Sequence, residues 1–259
     1  MKQKKLLVFM LLMTLLSSLV LLHFVKKDYD NHLKGHDSMI FGTFDPVVID
    51  KDANEDYAAT YLNYKKVNDD YIGTLKFDSG LIDLPVFQST DNDHYMRLDW
   101  QSGEYAAEGS TFLDYRNQLS DQNLIVYGHY VYSGYDPSLS KAFTPLGKLT
   151  DEANYRENAN LKLYLSDHVR EYQVAYVYYC ILDENTGYLT TVDDMQYYWT
   201  NYSNDYFDIY FNTVENASFY DTGVTIGQSD KFLTLLTCVE NHDELRLVVL
   251  CKEINRSPY

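Results

Sequence analysis

The chain has 259 residues, with 21 Lys and Arg against 38 Asp and Glu, a formal net charge of −17. A surface this acidic repels phosphate backbones and argues against nucleic acid as a partner. The three cysteines, Cys180, Cys238 and Cys251, are too few and too widely spaced for a disulfide framework, a zinc site or a CxxC redox centre.

At the amino terminus, Leu6 to Val25 is an apolar run with no charged side chain, preceded by Lys2, Lys4 and Lys5. At about 1.5 Å per residue such a run spans roughly 30 Å, the thickness of a hydrocarbon core. It is longer than a signal-peptide core, and no small-x-small cleavage site follows. The expectation is that residues 1–27 form a short cytoplasmic tail and an uncleaved transmembrane anchor. That places the chain in the cell membrane as a single-pass protein, with the remainder outside the cell. Residues 28–70 are polar, and Tyr57, Tyr61 and Tyr64 recur at helical spacing, so this stretch reads as a helical extension.

From Tyr71 the pattern changes to strands. Tyr71–Phe77 and Ile82–Gln88 flank Asp78-Ser79-Gly80 as a hairpin. Further strands are expected over 110–114, 123–127, 160–165, 170–182, 232–237 and 245–254. The 26 tyrosines suit such a packed sheet. Two segments break the rhythm. One contains Pro145-Leu146-Gly147-Lys148-Leu149. The other, Val192 to Phe211, reads as a helix inserted before the last strand pair. The fold expected over 71–259 is therefore dominated by β structure, a barrel or sandwich of seven or eight strands. Cys180 and Cys251 sit in apolar strands and read as structural. Asp91-Asn92-Asp93 and Asp193-Asp194 lack the spaced ligands and glycine of a calcium loop, so neither metal nor cofactor is expected.

The strand Phe232–Thr237 ends at Cys238. After a polar loop, Val239 to Glu244, a second strand begins, with Arg246 one residue inside it. An antiparallel pair joined by this loop sets Arg246 beside the Cys238 sulfur. An arginine among Leu and Val is costly unless an anion such as a thiolate or oxyanion needs it; by alternation alone it would equally face water. His129 follows the apolar strand 123–127 and Gly128, at a position suited to the proton transfer that a cysteine nucleophile requires. By position alone, His94 and His242 compete with it.

Together, Thr234-Leu235-Leu236-Thr237-Cys238, Arg246 eight residues on, and the strand ending Tyr127-Gly128-His129 resemble the signature of the sortases. Leu84–Gln88, Asp91–Tyr95 and Gly109–Asp114 are similar in order and spacing to the framework of class B members. The resemblance runs from about Tyr71 to Glu253. It implies an eight-stranded β-barrel with amino-terminal helices and a helical insertion before the cysteine strand. It further implies a cysteine transpeptidase in which Cys238 is the nucleophile, His129 the acid and base, and Arg246 the oxyanion partner. Thr237, Leu236 and Tyr127 are the implied substrate contacts. The implied partners are a surface protein or pilin bearing a sorting signal, cleaved after Thr, and an amine of a peptidoglycan precursor or a pilin lysine. Leu236 stands where class B members commonly have serine, and Val239 where they have an acidic residue, which points to an altered substrate pocket. The alternatives are an extracytoplasmic thiol peptidase using the same three residues, or a non-catalytic, membrane-tethered peptide-binding module.

Overall fold

The computed structural model describes residues 56–131, 142–183, 188–190, 199–239 and 242–259. The first described element is helix α1 (Tyr57–Val67). The Asp56 carboxylate caps it by accepting from the Ala59 amide, and Lys65 and Lys66 lie in its last turn, where they complement the helix dipole. Its tyrosine stripe packs on strand residues. Tyr57 stacks on Tyr164 at 3.6 Å, and Tyr64 on Tyr71 at 4.5 Å. Helical spacing on α1 thus serves ring stacking against the sheet.

Among the described residues nine strands follow: β1 (Tyr71–Phe77), β2 (Asp83–Phe87), β3 (Phe112–Leu113), β4 (Asn123–Tyr127), β5 (Asn160–Tyr164), β6 (His168–Asp183), β7 (Tyr188–Thr190), β8 (Phe232–Val239) and β9 (His242–Pro258). They form one sheet in the order β5-β1-β2-β3-β4-β8-β9-β6-β7, and the additional β5–β6 pairing closes the first eight into a barrel. Closure removes the free edges that an open sheet would expose. The short β7 extends β6 outside the closed ring. Register shifts in β6 against β9, at Glu171/Tyr172 and Val174/Tyr176, supply the local bends that a small barrel needs.

The barrel interior is filled by Leu75, Phe77, Leu124, Val126, Leu161, Leu163, Leu233, Leu235, Leu247 and Val249, among others. A second apolar layer covers the outside of β6, β8 and β9. There Phe207, Tyr210, Phe211 and Val214 of helix α2 (Asn204–Ala217) pack on Tyr178, Cys180, Leu236, Val248 and Leu250. β8 is therefore buried on both faces. This is why its sequence is a continuous apolar and threonine run rather than an alternation, as expected where a strand also pairs in parallel with β4.

Several boundaries differ from the sequence expectation. The late helix begins at Asn204 rather than Val192 and continues to Ala217; residues 192–198 lie outside the described residues. Trp199 to Tyr202 are drawn instead onto the start of β4. The Asn123 amide donates to the Thr200 carbonyl, its side-chain amide to the Trp199 carbonyl, and the Gln122 side chain accepts from the Tyr202 amide. These bonds satisfy the backbone without a helix. The Pro145 segment forms a 3₁₀ helix over Thr144–Thr150. The expected strand 110–114 narrows to two residues, whereas the last strand lengthens to seventeen.

The expected transmembrane anchor and single-pass membrane localisation need correction. Among the described residues no helix is long and apolar enough to cross a membrane. The run Leu6–Val25, on which that expectation rested, lies outside them.

Candidate active site

Cys238 and Arg246 are direct cross-strand partners on β8 and β9, and Arg246 is in turn the partner of Cys180 on β6. Directly opposed residues project to the same side of a sheet. Cys180, Arg246 and Cys238 thus form a row on the face covered by α2, two residues beyond the row of Tyr178, Val248 and Leu236. At this row the cover ends. Cys180 is fully buried, while Arg246 and Cys238 are half-buried. Burial pushes the Cys180 thiol well up, although the Arg246 charge opposes it, and burial also raises Cys251. Of the three free thiols, Cys238 is the one open enough to react.

β4 completes the row from the other side. It runs parallel to β8, with Tyr127 opposite Leu236, and the Gly128 amide continues the ladder to the Leu236 carbonyl at 3.1 Å. His129 and Cys238 each lie two residues past the Tyr127–Leu236 pair, so the parallel ladder carries both chains toward the same end of the sheet. Gly128 is required by a neighbour. A Cβ there would lie 2.7 Å from the Phe143 ring, whose own amide donates to the His129 carbonyl at 2.8 Å. Phe143, fully buried, thereby fixes the backbone that carries the histidine.

The His129 ring is half-buried, and its Nε2 lies 2.6 Å from the Met96 carbonyl oxygen. Burial lowers its pKa, helped by the charges of Arg97 and Arg246; the Met96 carbonyl and Glu108 oppose them without prevailing.

The implied substrate contacts divide between the two faces of β8. Leu236 shares the Cys238 face, with Tyr127 at its side. The Tyr127 hydroxyl is committed elsewhere: it donates to the Asp114 carboxylate at 2.8 Å. Asp114 is 0 % exposed and is held by Arg116 through bonds of 2.8 and 2.7 Å, with Asn92 donating at 3.1 Å. Burial raises the Asp114 pKa, but the Arg116 bonds outweigh it and leave the carboxyl below its ordinary range. Thr237 points to the opposite, interior face. It is 2 % exposed, and its Oγ1 is buried with no hydrogen-bond partner among the described residues.

The competing histidines are near in the fold but turned outward, His242 as the cross-strand partner of Val239 and His94 in the turn that carries Met96. His242 is exposed and 3.4 Å from Glu244, and His94 is exposed with its ring edge-on to Tyr95. Sequence reading did not single out Met96, Arg97, Phe143 or the Asp114–Arg116 pair. All belong to loops whose neighbours across space no periodicity encodes. The one local sign was the pair of glycines, Gly109 and Gly128, flanking these loops.

Comparison with known proteins follows the same lines. No family profile matches the chain. Sortase B of Listeria monocytogenes is 27 % identical over 196 residues, 74 % of this chain and 73 % of that protein. Sortase B of Staphylococcus aureus is 27 % identical over 198 residues, 74 % of each. Among solved structures, sortase B of Clostridium perfringens superposes with a TM-score of 0.62 at 27 % identity, covering 75 % of this chain and 99 % of that one. The substrate complex of Staphylococcus aureus sortase B superposes with a TM-score of 0.64 at 24 % identity, covering 78 % and 88 %, and so speaks to the fold.

Proposed function

We propose that this chain, which belongs to the class B sortases and is a cysteine transpeptidase, carries its chemistry on Cys238 as nucleophile, His129 as acid and base, and Arg246 as oxyanion partner. The observation that supports the assignment is the cross-strand pairing of half-buried Cys238 with Arg246 on β8 and β9, beside the end of β4, from which the chain leads through Gly128 to His129.

On this reading the Cys238 sulfur gives its proton to His129 and attacks the backbone carbonyl carbon after threonine in a sorting signal. The carbonyl oxygen becomes anionic in the tetrahedral intermediate, and the Arg246 guanidinium stabilises that charge where it develops. His129 then protonates the departing amine, the C–N bond breaks, and a thioester remains on Cys238. An incoming amine surrenders a proton to His129 and attacks the thioester. The C–S bond breaks, and the sulfur recovers its proton. Of the implied contacts Tyr127 borders the Cys238 face with partial exposure, whereas Leu236 is buried beneath α2 and Thr237 in the barrel interior.

The substrate is a surface protein or pilin with a sorting signal, and the acceptor an amine of peptidoglycan or of a pilin lysine. Solved complexes of sortase B with a substrate and with triglycine support this pairing of acyl donor and acceptor. Leu236 and Val239 beside the nucleophile favour a dedicated substrate, for which a pilin is the first candidate. The test incubates the full chain with a library of sorting peptides and a competing amine, followed by intact-mass spectrometry. A peptidyl adduct that is lost in Cys238→Ala, together with amine-capped product, is expected. Product cleaved only by water would instead identify a thiol peptidase.

A further inference from the structure

A histidine that shuttles one proton between sulfur and amine needs its other ring nitrogen tied down, because the two nitrogens are equivalent in reach only if the ring is free to change tautomer. In this chain that second nitrogen has a partner. Nε2 lies 2.6 Å from the Met96 carbonyl oxygen. A carbonyl oxygen only accepts, so Nε2 must be the protonated nitrogen, and Nδ1 is the basic one when the ring is neutral.

The carbonyl belongs to a platform fixed on several sides. Residues His94–Arg97 form a single 3₁₀ turn. The Asp91 carboxylate starts it by accepting from the amides of Asp93 and His94, at 2.9 and 2.8 Å. Tyr95, fully buried, anchors its middle, donating to the Asp70 carboxylate at 2.8 Å while its carbonyl accepts from the Ser110 amide at 2.9 Å. The Arg97 guanidinium donates to the Ala107 carbonyl, and the Ala106 amide to the Arg97 carbonyl at 3.0 Å. Gly109 closes the loop with φ +56, and a Cβ at that position would collide with the Met96 carbonyl oxygen and lie 2.7 Å from that of Tyr95. The side chain of Met96 is itself 40 % exposed, so its apolar packing does not account for this degree of bracing; the backbone it carries does.

We propose that the Met96 carbonyl is a positioning group that fixes the tautomer of His129, and that glycine at 109 is what lets this carbonyl reach the ring. The inference rests on the reading of His129 as the acid and base. It assigns the proton transfers to Nδ1: the Cys238 proton goes to Nδ1, from Nδ1 to the leaving amine, and the incoming amine returns one to Nδ1. Nε2–H stays on Met96 throughout and also shares the positive charge of the imidazolium with the carbonyl dipole. Arg97, Arg246 and Glu108 are the charged groups whose fields reach the ring.

The first test is long-range ¹H–¹⁵N NMR on the full chain labelled with ¹⁵N-histidine at neutral pH. His129, identified by loss of its signals in His129→Ala, is expected to carry its proton on Nε2 alone. A proton on Nδ1, or a mixture of tautomers, would overturn the proposal whatever any variant does. The second is Gly109→Asn, because asparagine tolerates a positive φ while still adding the obstructing Cβ. Expected are a mixed tautomer at His129 and a fall in kcat of about tenfold with KM little changed. A folded Gly109→Asn protein with the wild-type tautomer and wild-type kcat would sink the role of the glycine. Adduct formation on wild-type Cys238 is scored in the same preparations. Its absence would count against the transpeptidase site, while the tautomer result answers separately for the Met96 contact.

Discussion

Cys238 and Arg246 face each other across β8 and β9, and the ladder breaks immediately beyond them: the next partner of β8, Val239, is His242, so that Asp243 to Leu245 have no partner on β8. A bulge of this kind bends the strand and re-aims the side chains beside it. It falls where the helix-covered face ends, so the sulfur and the guanidinium emerge from a regular, buried sheet into half-exposed positions.

The three thiols should separate cleanly by accessibility. Cys238 is half-buried, whereas Cys180 and Cys251 are fully buried with their thiols held neutral by burial. An alkylating reagent applied to the native chain is expected to add one mass increment, mapping to Cys238. The other two should react only after denaturation.

Arg246 is assigned to charge that develops during reaction, so its loss should appear in the rate. Arg246→Ala and Arg246→Lys are each expected to lower kcat/KM by about 10²- to 10³-fold, as for removal of an oxyanion donor, because a lysine cannot reproduce the planar guanidinium. Thermal unfolding should move little, since the side chain is only half-buried. A large fall in Tm with a proportionate fall in activity would instead make Arg246 a structural residue.

The pH response of His129 has a definite sign. Its folded pKa lies below the ordinary 6.5, through burial and through Arg97 and Arg246. The unfolded chain therefore binds this proton first as pH falls. Stability owed to the neutral ring is intact above about pH 6.5 and is lost as pH drops through the folded value. An NMR titration should place the midpoint below 6.5, and Arg97→Ala should raise it by removing the charge with the larger effect on the ring.

Asp114 holds Arg116, Tyr127 and Asn92 with a carboxylate that is fully buried. Asp114→Ala is expected to cost about 3 kcal/mol in denaturant unfolding, because it strands a partly buried guanidinium and a phenol together. Tyr127→Phe removes one bond and should cost only about 1 kcal/mol. The Asp114 carboxyl titrates below its ordinary range, so this contribution should persist at neutral pH and vanish only as pH falls through the depressed value.

Gly128 and Phe143 should behave as a coupled pair. Gly128→Ala forces a Cβ to within 2.7 Å of a buried ring, with an expected cost of about 1–3 kcal/mol and a fall in activity through displacement of His129. Adding Phe143→Ala removes the Cγ and Cδ atoms that obstruct the new Cβ, so the double variant should lose less than the sum of the two single losses. Additive losses in the double variant would show that the two do not act through contact.

Much of the barrel was legible in the chain because strand identity is written locally. Apolar runs over 123–127 and 232–237, the turn Asp78-Ser79-Gly80 and the strands expected over 160–165 and 170–182 correspond to β4, β8, the β1–β2 pair and the β5–β6 pair. The late helix was displaced by about a turn and a half at its end because its start is set by bonds from Gln122 and Asn123, some 80 residues distant in sequence. Nothing in residues 192–211 announces those partners.

By itself the sequence determined the candidates, Cys238, Arg246 eight residues later and His129 after Tyr127-Gly128, because each sits at a strand end marked by its own neighbours. That Arg246 is the cross-strand partner of Cys238, that β4, which leads to His129, pairs in parallel with the cysteine strand, and that a Met96 carbonyl contacts the His129 ring were decided only by the tertiary structure. Register across a sheet and contact between loops depend on partners far apart in the chain, and a one-residue slip would have turned each of these side chains to the opposite face.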